Sequence, residues 1–133
     1  MPFSASHRLH TPALSAEENH QIFGKCNNPY GHGHNYVLEV SVEGEPDVRT
    51  GMIVERSVLD DFVRRTALDR VDHVDLNQDV EEFRHTVPTT ENLSLAMYAW
   101  LNTGWNAEFG DKAATLGPIR IEETARNHFE VTG

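Results

Sequence analysis

The longest strict alternation in the chain runs from His32 to Val42. His32, His34, Tyr36, Leu38, Val40 and Val42 fall on one side; Asn35, Glu39, Ser41 and Glu43 fall on the other, with Val37 the one exception. A period of two with one apolar side is a strand that buries one face. A shorter alternation precedes it: Phe3, Ala5, His7 and Leu9 against Ser4, Ser6 and Arg8, ended by Thr11-Pro12. Near the other end, Ile119, Ile121 and Glu123 share a face of a strand predicted over about residues 116–124. A hairpin near Ala125-Arg126 joins it to a last strand over about 127–132.

Three stretches read as helices. Ser15-Ala16-Glu17-Glu18 is a capping box that opens a short helix over about 16–23, and Gly24 ends it. Val58, Leu59, Phe62, Val63 and Ala67 give a helical stripe over about 58–68, with Ser57 as its expected cap. Leu93, Met97, Trp100 and Leu101 give another over about 91–102, opened by Thr89-Thr90-Glu91-Asn92. Residues 50–54 read as a short extended continuation, 69–88 as a long loop, and Gly104 to Lys112 as a second loop. The order strand, strand, helix, helix, strand, strand predicts an α+β domain over 1–133. Its core is a four-stranded antiparallel sheet with two helices on one face. Two open edges invite subunits to join edge to edge.

Composition narrows the function. A net charge of -10 opposes nucleic-acid binding, and any polyanionic substrate then needs a local cationic pocket or a metal ion. No apolar run is long enough to cross a membrane, and the N-terminus lacks the pattern of a signal peptide. A single cysteine makes no internal disulfide, which fits the cytoplasm.

The chemistry-bearing residues cluster in sequence. His32-Gly33-His34 puts two imidazoles on one strand face, and His7 faces inward on the preceding strand. Three imidazoles with an open fourth position is a catalytic zinc arrangement. Cys26 follows Lys25, whose charge is expected to lower the thiol pKa and make a base. The thiol has two other readings, a small buried hydrophobe or a fourth ligand that closes the site. Asp72-His73 is either a proton relay or a surface pair. Glu123 on an inward face needs donors, such as the NH and NH2 edge of a heterocycle. Glu91 reads as a similar anchor or as a helix N-terminal charge. His10, His20, His85 and His128 read as solvated or core residues.

The motifs Phe3-Ser4-Ala5-Ser6-His7-Arg8-Leu9, Phe23-Gly24-Lys25-Cys26-Asn27-Asn28-Pro29-Tyr30-Gly31-His32-Gly33-His34-Asn35-Tyr36, Gly51-Met52, Asp72-His73, Thr89-Thr90-Glu91-Asn92 and Glu123-Thr124 together resemble the 6-pyruvoyl-tetrahydropterin synthase family along nearly the whole chain. The resemblance implies the tunnelling fold, with three subunits closing a barrel of strands and two trimers stacking into a hexamer. It implies zinc on His7, His32 and His34. Cys26 would be the base, Asp72 and His73 a relay, and Glu123 the pterin anchor, aided by Thr89, Thr90 and Glu91. The implied reaction converts 7,8-dihydroneopterin triphosphate to 6-pyruvoyl-tetrahydropterin and triphosphate, with magnesium accompanying the phosphates. A related branch, 6-carboxy-tetrahydropterin synthase, uses the same substrate but usually sets its cysteine nearer the His-Gly-His. The five residues Asn27 to Gly31 between Cys26 and His32 favour the pyruvoyl branch. A non-catalytic zinc- and pterin-binding module is a third reading, under which Cys26 and His73 would be dispensable.

Overall fold

The computed structural model describes residues 1–110, 114–123 and 127–133. The elements are β1 (Pro2–His7), α1 (Ala16–Phe23), β2 (His32–Gly44), α2 (Arg56–Val63), α3 (Asp69–Val71), β3 (Val74–Asp75), α4 (Leu76–Asp79), α5 (Thr90–Phe109), β4 (Ala114–Glu123) and β5 (Asn127–Val131). A π-helical turn, Arg64–Leu68, joins α2 to α3. The sheet order is β3-β1-β2-β4-β5.

The four expected strands are present and pair antiparallel, β1 with β2, β2 with β4 and β4 with β5. The expectation of a purely antiparallel four-stranded sheet is corrected by β3. This strand lies parallel to β1, with Ala5 opposite Val74 and Ser6 opposite Asp75, so the sheet is five-stranded and mixed. It forms because the chain leaves α3 alongside the open edge of β1. There the His73 amide donates to the Ser4 carbonyl at 2.6 Å, and the Asp72 carboxylate accepts the Ser4 amide at 2.9 Å.

Alternation sets the faces. Phe3 and Ala5 of β1, Tyr36 and Leu38 of β2, and Ile119 and Ile121 of β4 are buried together. Against them pack Phe62, Val63 and Ala67 and the α5 residues Leu93, Met97, Leu101, Trp105 and Phe109. The last two correct the expected loop after Asn102. The helix runs on to Phe109, because Trp105 and Phe109 continue the i+4 row begun by Leu93 and their burial outweighs the polar residues between. Gly104 lies inside that helix where it meets Phe62, whose ring edge is 3.4 Å from where a Cβ would stand. Trp105 also donates its indole N–H to the Ala114 carbonyl at 3.1 Å, tying the helix to the start of β4.

Three smaller expectations are corrected. Residues 50–54 are a turn and bend, not a strand. The turn closes through Gly51 at φ 72°, whose amide donates to the Asp47 carbonyl, and through the Asp47 amide to the Met52 carbonyl. Helix α2 starts at Arg56 with Glu55 as N-cap and no side-chain cap, so Ser57 lies inside it. The stretch 69–88 is not a bare loop: it holds α3, β3, α4 and a 3-10 turn at Glu81–Phe83. The Ser15–Glu18 capping box is present in both directions. The expected hairpin at Ala125-Arg126, and Thr124 with it, lies outside the described residues.

Candidate active site

The site sits where β1 and β2 end together. Their register sets His7 opposite His32 and Ala5 opposite His34. His7 lies across the strand pair from two imidazoles of the same face, and ring centroids are 4.8 Å apart for His7–His34, 4.3 Å for His32–His34 and 6.2 Å for His7–His32. The chain between Cys26 and His32 turns back through Gly31, which has φ 72°. A Cβ there would stand 3.1 Å from the His7 carbonyl oxygen, so glycine lets the turn close against the strand end. A backbone bond from the Leu9 amide to the Cys26 carbonyl, 2.7 Å, and the Asn27 side-chain amide on the Leu9 carbonyl, 2.8 Å, hold Cys26 at the same place.

One ligand atom each from His7, Cys26 and His34 lies within 4.8 Å of the others. His32 joins through Nε2, 3.4 Å from the Cys26 sulfur. His7 is completely buried. Its Nδ1 meets the Pro88 carbonyl at 3.0 Å. That contact places the proton on Nδ1 and leaves the Nε2 lone pair facing the cluster. Nε2 of His7 and Nε2 of His34 are buried without a hydrogen-bond partner. His32 stands outside this three-residue group, but two orphaned imidazole nitrogens with a third imidazole beside them are nitrogen donors of the kind zinc takes, so the histidines fit such an ion.

Electrostatics agrees with that reading. Burial lowers the His7 pKa to about 4, so the ring is neutral and able to ligate near neutral pH. His34 is likewise lowered, chiefly by burial, with Glu123 opposing. The Cys26 thiol is pushed up, first by burial and then by the Glu123 carboxylate. This corrects the expectation that Lys25 depresses it: the Lys25 side chain is exposed, and desolvation of the sulfur outweighs a charge held in water.

Glu123 stands opposite Tyr36 across the β2–β4 ladder. Its Oε1 is 3.1 Å from His34 Nε2, outside hydrogen-bond geometry, and its Oε2 accepts the Thr90 hydroxyl. Asn127 donates to the same Thr90 oxygen at 3.2 Å. Thr90 is buried in the first turn of α5. Thr89 serves as that helix's N-cap, accepting the Asn92 amide. Glu91 is exposed in the same turn, where a carboxylate favours the helix N-terminus. Asn127 is the member of this group that sequence reasoning missed; it pairs with Glu123 in the β4–β5 ladder.

Asp72 and His73 lie elsewhere. They are joined at 2.7 Å on the β3 side of β1, with side chains 37% and 79% exposed. His73 has φ 62°, the one non-glycine positive φ among the described residues, and it lines a shallow groove with Ser4, Ser6, Gly33, Asn35 and Asp75. Ser4, Ser6, Gly33 and Asn35 alternate with the buried residues of β1 and β2, so their side chains take the sheet face away from the core.

Comparison with known proteins places the chain in a family. The family model described as 6-pyruvoyl tetrahydropterin synthase matches residues 1–133. The chain is 49% identical over 125 residues to the human 6-pyruvoyl tetrahydrobiopterin synthase, covering 94% of this chain and 82% of that one. The solved Caenorhabditis elegans 6-pyruvoyl tetrahydropterin synthase superimposes with a TM-score of 0.87 at 42% identity, over 100% of this chain and 91% of that one. A putative 6-carboxy-5,6,7,8-tetrahydropterin synthase of Archaeoglobus fulgidus is more distant, 26% identical over 97% of this chain and 88% of its own. This chain belongs to the 6-pyruvoyl tetrahydropterin synthase family.

Proposed function

We propose that the chain, acting as a single domain, is a zinc-dependent lyase that converts 7,8-dihydroneopterin triphosphate to 6-pyruvoyl-tetrahydropterin and triphosphate. The observation that carries this reading is the meeting of His7, His32, His34, Cys26 and Glu123 at one strand end, in a chain of this family. His7, His32 and His34 would hold the ion. Zinc, when bound, polarises the substrate's side-chain oxygens and offsets the burial that keeps the Cys26 thiol protonated.

The chain's own residues do the rest. Glu123, fixed by the Thr90 hydroxyl and backed by Asn127, offers a carboxylate to the paired N–H groups of a pterin edge. Thr89 and Glu91 set the helix end that carries Thr90. Cys26 takes the proton from the side-chain carbon next to the one bearing triphosphate, and the C–O bond breaks with its electron pair leaving on triphosphate. The hydrogens lost by the side-chain diol reappear on the ring, so no outside reductant is consumed. His73, oriented by Asp72, returns or accepts a proton.

Because that dyad is exposed and faces away from its own cysteine, it serves a neighbouring subunit. Open edges at β3 and β5 support edge-to-edge joining into a barrel, as a trimer stacked into a hexamer. The free cysteine fits a cytoplasmic enzyme, and magnesium accompanies the triphosphate. Among the described residues no helix is long and apolar enough to cross a membrane.

The 26% identity to the carboxy-branch relative, against 49% to the human synthase, favours the pyruvoyl product. Incubating zinc-loaded protein with 7,8-dihydroneopterin triphosphate and weighing the products by mass spectrometry tests this. 6-Pyruvoyl-tetrahydropterin upholds it. 6-Carboxy-tetrahydropterin with acetaldehyde, or bound but unchanged substrate, overturns it.

A further inference from the structure

A pocket of about 400 Å³ opens beside Cys26, lined among others by His20, Lys25, Asn27, Asn28 and His32. Its lining brings one ammonium, two imidazoles and two amides, and no carboxylate. The pocket lined by His10, Asn77, Arg84 and His85 is also free of carboxylates, but His32 is not in its lining. The pocket lined by Glu45, Asp47 and Glu55 shows the opposite balance.

The Lys25 charge is also uncommitted. Arg49, Arg56 and Arg65 each stand within ion-pair distance of a carboxylate, whereas no described carboxylate pairs with Lys25. Arg8, likewise without an ion pair among the described residues, donates its Nε to the Asn27 carbonyl at 3.2 Å, which brings a second cation against the pocket wall. His32 connects the pocket to the catalytic group: it lines the pocket, and its Nε2 is 3.4 Å from the Cys26 sulfur.

We propose that this pocket receives the triphosphate of the substrate, with Lys25 as its counter-charge and His20 as a second polar contact. The inference rests on the proposed reaction, whose substrate carries that group. A net charge of -10 opposes the approach of a polyphosphate, so local cations beside the catalytic group favour both entry and orientation. The lysine ammonium is a compact charge suited to phosphate oxygens. As the C–O bond breaks, negative charge grows on the leaving triphosphate, and a fixed cation there stabilises that change. Lys25 is thereby a substrate contact and not the depressor of its neighbour's thiol pKa. His20, which sequence alone reads as a solvated histidine, acquires a partner.

Calorimetry of inorganic triphosphate against zinc-loaded protein, with zinc content measured before and after, tests the pocket. The wild-type protein binds. Lys25→Ala weakens binding by about tenfold or more, Lys25→Arg keeps most of it, and His20→Ala loses a smaller factor. In turnover, Lys25→Ala raises KM for the triphosphate substrate by a similar factor, while affinity for unphosphorylated 7,8-dihydroneopterin stays unchanged. Triphosphate affinity within twofold of wild type in the Lys25→Ala, His20→Ala double variant overturns the assignment. Lys25-dependent triphosphate binding by a protein that leaves the pterin unchanged upholds the pocket and sinks the reaction. Unaltered KM in Lys25→Ala with normal turnover sinks the pocket and leaves the reaction standing.

Discussion

Two groups of ionisable residues flank β1, and they differ in nearly every physical respect. At the strand end, His7 is fully buried, and His34 and Glu123 have side chains only 12% exposed. At the strand edge, Asp72 and His73 are 37% and 79% exposed. The buried group is fixed by Pro88, Thr90 and the β2 register, and burial keeps its imidazoles neutral. The edge pair is held by the bond between its own members and by two bonds to the Ser4 backbone, with a left-handed backbone at His73. The first is enclosed and preorganised; the second lies open at the sheet edge. Under the proposed function, metal and pterin recognition lie inside one chain, where preorganisation and a low dielectric strengthen them, and proton delivery comes from a neighbouring subunit.

The sharpest way to break that division is to remove a buried ligand. His7→Ala or His34→Ala is expected to reduce bound zinc to background and turnover below detection, read by metal analysis and product assay. Full zinc in both would mean that the buried imidazoles are not the ligands. Next comes the edge. His73→Asn is expected to lower turnover by about a hundredfold or more with zinc retained. If the dyad serves a neighbour, then co-assembling inactive Cys26→Ala chains with inactive His73→Asn chains restores part of the activity. No recovery at any mixing ratio would place base and relay in one subunit.

The strand end and the capped helix were legible in the sequence because both are local patterns. Alternation from His32 to Val42 needs nothing but the two-residue period, and the Ser15–Glu18 box needs only four residues. What escaped was tertiary. Strand β3 is two residues long, too short for any period, and exists because β1 offers an edge. The end of α5 was masked by Gly104, which reads as a breaker and is in fact a contact point for Phe62. The row Leu93, Met97, Leu101, Trp105, Phe109 carried the correct answer at a spacing of four. The site residues were named by motif, but neither the exposure of His73 nor the raised Cys26 thiol has a local signature; both depend on what packs nearby.

A smaller effect probes the buried side alone. The folded His7 pKa is about 4 against 6.5 ordinarily, so between those values the unfolded chain binds a proton that the folded chain refuses. Stability of the metal-free protein therefore rises with pH through that window and falls as pH drops from 6.5 toward 4, with His7 contributing about 3 kcal/mol of the loss. Urea midpoints across that range check it, and His7→Gln should flatten the slope. An unchanged slope in that variant would mean the ring is solvated. Smallest is the cap of α1, on the exposed flank: Ser15→Ala should cost about 1 kcal/mol of stability and leave zinc content untouched.

Under the proposed function Cys26 works beside the ion and is not one of its ligands. Zinc stoichiometry and turnover measured together on purified Cys26→Ala test it most directly. The expected result is zinc at the wild-type ratio with product formation abolished. Loss of the zinc in that variant would contradict it and make the sulfur part of the coordination shell.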